Sequence, residues 1–300
     1  MRLPDNIPTW VFELALVATT VAYGGSYIVL KDAMQAVSPA WLLTIRFAMA
    51  AAIMGVIFHR RLAENLDGSH VLAGTIIALP EAVGFLVQNI GLTLTTPGRN
   101  AFLTATYCVM VPFLAWVVVR RRPRPNNLVA AAMCLAGVGL LSLKASDGAA
   151  GLGAGDLLTL LSALMFGLNM VAVERLGRLH DSVTITFVMF VVSALVSLGA
   201  AVALEPVPKS ASFTPEFWAQ MAYVVLLTTI FGILVQNVAQ KRVPSSQVAL
   251  LLSFESVFAT VFSVVFYGEK ITLPLLVGFA LIFGAVLVSQ FATTPRVHSD

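Results

Sequence analysis

Gly84-Phe85-Leu86-Val87-Gln88-Asn89 and Gly232-Ile233-Leu234-Val235-Gln236-Asn237 are near-copies of one phrase, each set inside an apolar run. They lie 148 residues apart in a chain of 300. That spacing is what a chain built of two related halves would give. Carboxamides in the middle of membrane-length apolar segments are costly to bury alone. Their return at half-length predicts a membrane protein whose polar groups face an interior.

Composition agrees. The chain is 58% hydrophobic and 11% charged, with a mean hydropathy of +0.90. A soluble domain carries roughly 25% charged residues, so these charges cannot cover a water-soluble particle. A net charge of +3 would ordinarily raise nucleic acid as a partner. Here the basic residues gather in short loops between apolar runs, which is membrane topology, and no nucleic acid is expected. Cys108 and Cys134 both fall inside apolar runs and read as packing residues. The four histidines lie in loops or the tail without ligand spacing, so no metal or other cofactor is expected. The first apolar run lacks a fitting cleavage site and reads as a retained helix.

A membrane helix needs roughly 20 mostly apolar residues. On that rule the sequence predicts an all-α integral membrane protein of ten spans, near 9–30, 39–59, 71–94, 99–119, 126–144, 155–175, 183–204, 217–240, 245–267 and 272–292. The Gly- and Ala-rich stretch 144–155 is the expected linker, which divides the chain into halves 1–145 and 146–300. With the N-terminus inside, twelve Lys and Arg fall in cytoplasmic segments and five outside, while Arg46 lies within a span. Both termini are therefore expected in the cytoplasm. Matching phrases run through the spans in common order, among them Tyr23-Gly24 with Phe166-Gly167 and 44–49 with 184–189. Five helices followed by their copy must enter from opposite sides, so the halves are expected to be inverted repeats, a plan of secondary transporters.

Ionisable groups at membrane depth are functional candidates. Arg46 could hold a substrate carboxylate by a bidentate contact, or clamp helices through carbonyls or through Glu81 or Glu255. Glu81, Gly84 and Gln88 share one helical face, with Glu81 just after Pro80. Glu81 could bind a substrate ammonium, exchange a proton, or pair with Arg46. Its counterpart in the second half is Thr229. Gln88 and Gln236 suit a zwitterionic or polar substrate, or bond helix to helix. Asn169 is a further cavity candidate, whereas Asn89 and Asn237 point away and read as scaffold. Tyr23, Tyr27, Phe85, Tyr107, Phe166 and Phe231 are candidates for an aromatic wall.

The stretch 245–289 resembles the EamA family of the drug/metabolite transporter superfamily, through Leu251-Leu252-Ser253-Phe254-Glu255, Val257-Phe258 and Gly268-Glu269-Lys270-Ile271-Thr272. Gly155-Asp156-Leu157-Leu158 and Arg46-Phe47 are similar to that family too. The chain departs at Ser256, where the family often has Pro, and at Arg120-Arg121-Arg122, where its first half often has Gly-Glu-Arg. Because the family motif includes Glu255 generally, the resemblance assigns it to the scaffold. It implies a monomeric, multi-pass carrier in a bacterial inner membrane, embedded in the lipid bilayer and moving a small molecule. One branch exports aromatic amino acids, and that branch is the expected likeness, with an exporter of drugs or other small metabolites as the alternative and a channel disfavoured. No phosphate-cradling loop, nucleophile elbow or metal spacing appears, so neither an ATP-driven pump nor an enzyme is expected.

Overall fold

The computed structural model describes residues 8–120, 122, 125–142, 152–270 and 272–290. The expected linker lies almost wholly outside these residues, as do Arg2, Arg121, Arg124, Lys144 and Arg296 of the charge count. The helices are α1 (Thr9–Ala33), α2 (Pro39–Ile57), α3 (His59–Asn65), α4 (Gly68–Thr93), α5 (Pro97–Thr104), α6 (Tyr107–Val119), α7 (Pro125–Ser142) and α8 (Ala154–Leu176). They continue as α9 (Ser182–Leu204), α10 (Pro215–Tyr223), a π-helical stretch (Val224–Ile233), α11 (Leu234–Ala239), α12 (Ser245–Ser253), α13 (Glu255–Tyr267) and α14 (Leu273–Gln290). Among the described residues there are eight helical segments long and apolar enough to cross a membrane.

Local chemistry starts these helices. Asp67, Thr96, Asp181 and Thr214 accept from the backbone N–H three residues on, satisfying an otherwise orphaned donor of α4, α5, α9 and α10. Pro39, Pro97 and Pro215 open α2, α5 and α10, where their missing N–H costs nothing. The connection 59–70, expected as a plain polar loop, contains α3.

Two expected spans are interrupted. Between α5 and α6 the backbone tightens to i→i+3 bonds, Thr106 N to Leu103 O at 3.2 Å and Cys108 N to Ala105 O at 3.2 Å. Pro112 then removes the donor that would reach Cys108 O. Between α12 and α13 the break falls at Phe254 without any proline. Ser253 Oγ donates to Leu250 O at 2.6 Å and Ser256 Oγ to Ser253 O at 2.7 Å. Such back-bonding competes for helix carbonyls and bends helices. The residue that replaces the family's proline thus sits at a bend all the same.

The bundle buries its ionisable and carboxamide groups among apolar packing and exposes large apolar side chains. Leu14, Leu135, Val202 and Val265 stand exposed, while Arg46, Glu81, Gln88, Asn89, Asn169, Gln236 and Glu255 are buried. That inversion of the soluble pattern is a lipid-facing surface. α4 packs along α8 and α9, α7 along α14, α2 along α9, and α1 along α13 and the π-helical stretch. Phe102 on α5 stacks on Phe279 of α14, centroids 3.8 Å apart.

Glycine permits the tightest contact. A Cβ on Gly24 of α1 would lie 2.5 Å from Phe258 Cβ and 2.8 Å from Ala259 N on α13. Gly24→Ala is therefore expected to lower thermal stability in detergent by about 1–3 kcal/mol through overpacking. Gly199→Ala, whose Cβ meets nothing within 4 Å, is expected to be neutral or slightly stabilising.

At the start of α9, Asp181 joins two connections. Arg61 Nε and Nη2 donate to its Oδ1 at 3.1 and 2.5 Å, and Thr184 N donates to Oδ2 at 3.0 Å. Burial alone would push this carboxyl up, but the Arg61 and Thr184 bonds outweigh it and hold it below its usual 3.8. A lowered carboxyl contributes stability above its unfolded value and loses it as pH falls through its folded one. The melting-temperature deficit of Asp181→Asn against wild type is expected at pH 7 and should shrink as pH drops below about 4.

Candidate functional site

One cavity lies where α1, α2, α4, α5, α6, α8, the π-helical stretch, α11, α12 and α13 converge. The space between its atoms is about 680 Å³, open mouth included. Tyr23, Tyr27, Arg46, Glu81, Phe85, Gln88, Tyr107, Phe166, Asn169 and Gln236 all line it. Phe231 does not, being 49% exposed on the outer surface. Its neighbours Thr229 and Gly232 turn into the bundle, and Phe231 is left facing outward. The expected aromatic wall is corrected at that position.

Helix geometry explains the convergence on α4. Glu81, Gly84 and Gln88 recur at i, i+3 and i+7 and are all buried. A Cβ on Gly84 would come within 2.9 Å of the Phe166 ring, so the glycine admits that ring. Phe166 meets Phe85 edge-on at 4.9 Å. In the second half, a Cβ on Gly232 would lie 2.5 Å from the Tyr23 hydroxyl oxygen. Each copy of the repeated phrase thus uses its glycine to seat an aromatic ring from the other half, Phe166 in one case and Tyr23 in the other.

Arg46 takes a partner that sequence reasoning did not name. Its Nε donates to Thr229 Oγ1 at 2.6 Å. Thr229 is free to accept because its own hydroxyl donates to Val224 O at 2.9 Å, five residues back in the π-helical stretch. The guanidinium lies 4.5 Å above the Phe85 ring. Among the described residues no carboxylate forms an ion pair with Arg46, and its Nη1 has no hydrogen-bond partner. Neither does Glu81 Oε2. The Arg46–Glu81 clamp is therefore not formed.

Gln88 anchors a polar chain. Its Nε2 lies 3.1 Å from both the Tyr27 hydroxyl and Thr104 Oγ1. Tyr27 and Tyr107 in turn donate to Glu255 Oε1 at 3.4 and 3.5 Å. Glu255 thus lines the cavity and stands beside two tyrosines, where the resemblance had assigned it to the scaffold. The bend at Phe254 brings it inward. Asn169 Nδ2 donates to Ile77 O at 3.0 Å. Gln236 faces the same space from the second half. Asn237 bonds Thr186 Oγ1 at 2.8 Å, within the helix packing. Among the described residues no group of His, Cys, Asp and Glu could hold a metal, and both cysteines are free and buried.

Chemically the cavity offers one guanidinium, two carboxyls, three carboxamides and five aromatic rings. Comparison with known proteins finds similar chains and a similar fold. A solved crystal structure, 20% identical, superposes with a TM-score of 0.70 over 97% of this chain and 99% of its own, which shows the fold. An uncharacterized transporter of Archaeoglobus fulgidus is 27% identical over 286 residues, 92% of this chain and 84% of the relative. A second one from that organism is 23% identical over 291 residues, 95% and 98% of the two chains. The model of the EamA-like transporter family matches twice, at residues 10–143 and 153–291. The chain is a multi-pass membrane protein and belongs to the EamA-like transporter family.

Proposed function

We propose that the protein is a secondary transporter, not an enzyme, that exports amino acids, aromatic or large apolar ones foremost, by alternating access across a bacterial inner membrane. It works as a monomer without a cofactor. The observation that carries this reading is a guanidinium and a carboxyl in one aromatic-walled cavity, with Arg46 Nη1 and Glu81 Oε2 both unpartnered among the described residues. A free amino acid brings a carboxylate and an ammonium, and a large side chain suits the rings of Tyr23, Phe85 and Phe166.

The topology belongs to the same proposal: ten spans in two inverted halves of five, with both termini cytoplasmic. The double family match, and the exchange of aromatic rings between Gly84 and Gly232, support the repeat. α7 and α14 complete the count. Each has 18 residues and rises about 27 Å, close to the hydrocarbon thickness.

Counterflow in liposomes with labelled phenylalanine, a panel of other amino acids, amines and nucleotide sugars tests the substrate. Amino acids are expected to compete, and the assignment fails if none does. Arg46→Gln is expected to raise the half-saturating phenylalanine concentration about tenfold or more, as loss of a charge-assisted contact would. Phenethylamine, which lacks the carboxylate, should be little affected by that change. Glu81→Gln is expected to weaken both. The surplus of carboxyls over guanidinium favours a second reading, an exporter of aromatic cations. Selective competition by amines would carry it. Gln88→Ala should slow transport more than Asn237→Ala, because Gln88 holds Tyr27 and Thr104 at the cavity.

A further inference from the structure

Polar locks join helices at both ends of the bundle, and they correspond. At one end Arg99 of α5 grips Asp156 of α8, Nε to Oδ1 at 2.7 Å and Nη2 to Oδ2 at 2.7 Å. At the other end Gln247 of α12 donates from Nε2 to Glu13 Oε1 of α1 at 2.7 Å. Arg99 and Gln247 are 148 residues apart, the interval between Gly84 and Gly232. Glu13 and Asp156 are 143 apart, the interval between Tyr23 and Phe166. The two contacts therefore join equivalent positions of the two halves at opposite ends.

A second tie recurs at each end, with one of its two sides at the repeat interval. Lys31 of α1 donates to Leu92 O at 3.2 Å and also to Thr95 O, at the end of α4. Glu174 of α8, 143 residues beyond Lys31, accepts from Ser245 N at 3.0 Å and from Ser245 Oγ, at the start of α12.

The locks differ in strength. Arg99–Asp156 is bidentate and charged on both sides, with side chains only 13% and 5% exposed. Glu13–Gln247 is a single bond with one charge, and both residues are half-buried. Beneath the first lock lies a polar layer, Asn100 Nδ2 donating to Thr159 Oγ1 at 2.7 Å. The equivalent residues beneath the second are Val248 and Leu16, both fully buried and apolar.

We infer that Arg99–Asp156 and Glu13–Gln247 are the two gates of the transport cycle, coupled so that strengthening one shifts the protein toward opening at the other. The inference rests on the alternating-access reading. Alternating access requires one end to open as the other closes. A stronger contact at either end therefore shifts population toward opening at its opposite.

The test exchanges the two locks. Spin labels on Leu157 of α8 and Phe266 of α13, both outward-facing, report separation at the Arg99 end. The buried Cys108 and Cys134 are first replaced by alanine. Pulsed electron-resonance distances are then compared among Arg99→Gln, Gln247→Arg and the double variant. Arg99→Gln is expected to raise the long-distance population about tenfold by weakening the near gate. Gln247→Arg strengthens the far gate and is expected to raise the same population, although it touches nothing near the labels. The double variant should exceed either. If Gln247→Arg leaves the distribution unchanged or shortens it, the gates are not coupled and the inference is overturned. That variant leaves Arg99 and Asp156 untouched, so the result does not depend on whether Arg99→Gln folds. The distances need no substrate, so failure of the amino-acid assignment would leave their outcome intact.

Discussion

A guanidinium deep in a lipid-facing bundle must be supplied with partners by its own chain, because no lipid tail can serve. Arg46 imposes that demand here, and much of the interior answers it. Thr229 accepts from Nε, Phe85 lies under the planar group, and the i→i+5 bonding of Val224–Ile233 leaves the Thr229 oxygen able to accept. Among the described residues, one direction of the guanidinium remains without a partner. The same demand explains why the cavity sits where the halves meet. There several helices of both halves converge to surround Arg46, Glu81 and Glu255 away from lipid.

Repetition shapes the second level of organisation. Gly84 seats Phe166 and Gly232 seats Tyr23, so the halves exchange aromatic rings at equivalent points. Bends recur as well, between α5 and α6 and between α12 and α13, though by different means. The first uses tight turns and Pro112, the second the hydroxyls of Ser253 and Ser256. Equivalent backbone paths are thus reached with unrelated side-chain chemistry, and the charged and polar tips are free to diverge. The face carrying Arg99 and Asp156 has two charges where the other has Glu13 and Gln247.

Much of this was legible from residue order alone, and for a physical reason. Apolar runs of membrane length, and polar groups recurring at i, i+3 and i+7, are local signals. The face shared by Glu81, Gly84 and Gln88 can be read from one helix by itself. What required the folded chain were departures from ideal helix. The π-helical stretch has no plain signature, so Thr229 as the acceptor for Arg46 was visible only as the repeat counterpart of Glu81. A uniform helix also gives no hint that Phe254 bends the chain and turns Glu255 inward. Phe231 shows the reverse error: an aromatic residue beside the repeated phrase looks like cavity wall until the two neighbours that claim the inward direction are known.

The bare apolar exterior bears on which changes this protein can absorb. Lipid tails are as apolar as leucine, so no hydrophobic force draws one helix to the next within the bilayer. Shape selects the partners instead, and the seam at Gly24 is closed to a single added carbon. On the outer belt, at Leu135 or Val265, one greasy side chain serves as well as another. Tolerance therefore follows the curvature of the contacts rather than the oiliness of the residues: a small swelling at a seam acts as a wedge, while wholesale exchange on the outside goes unnoticed.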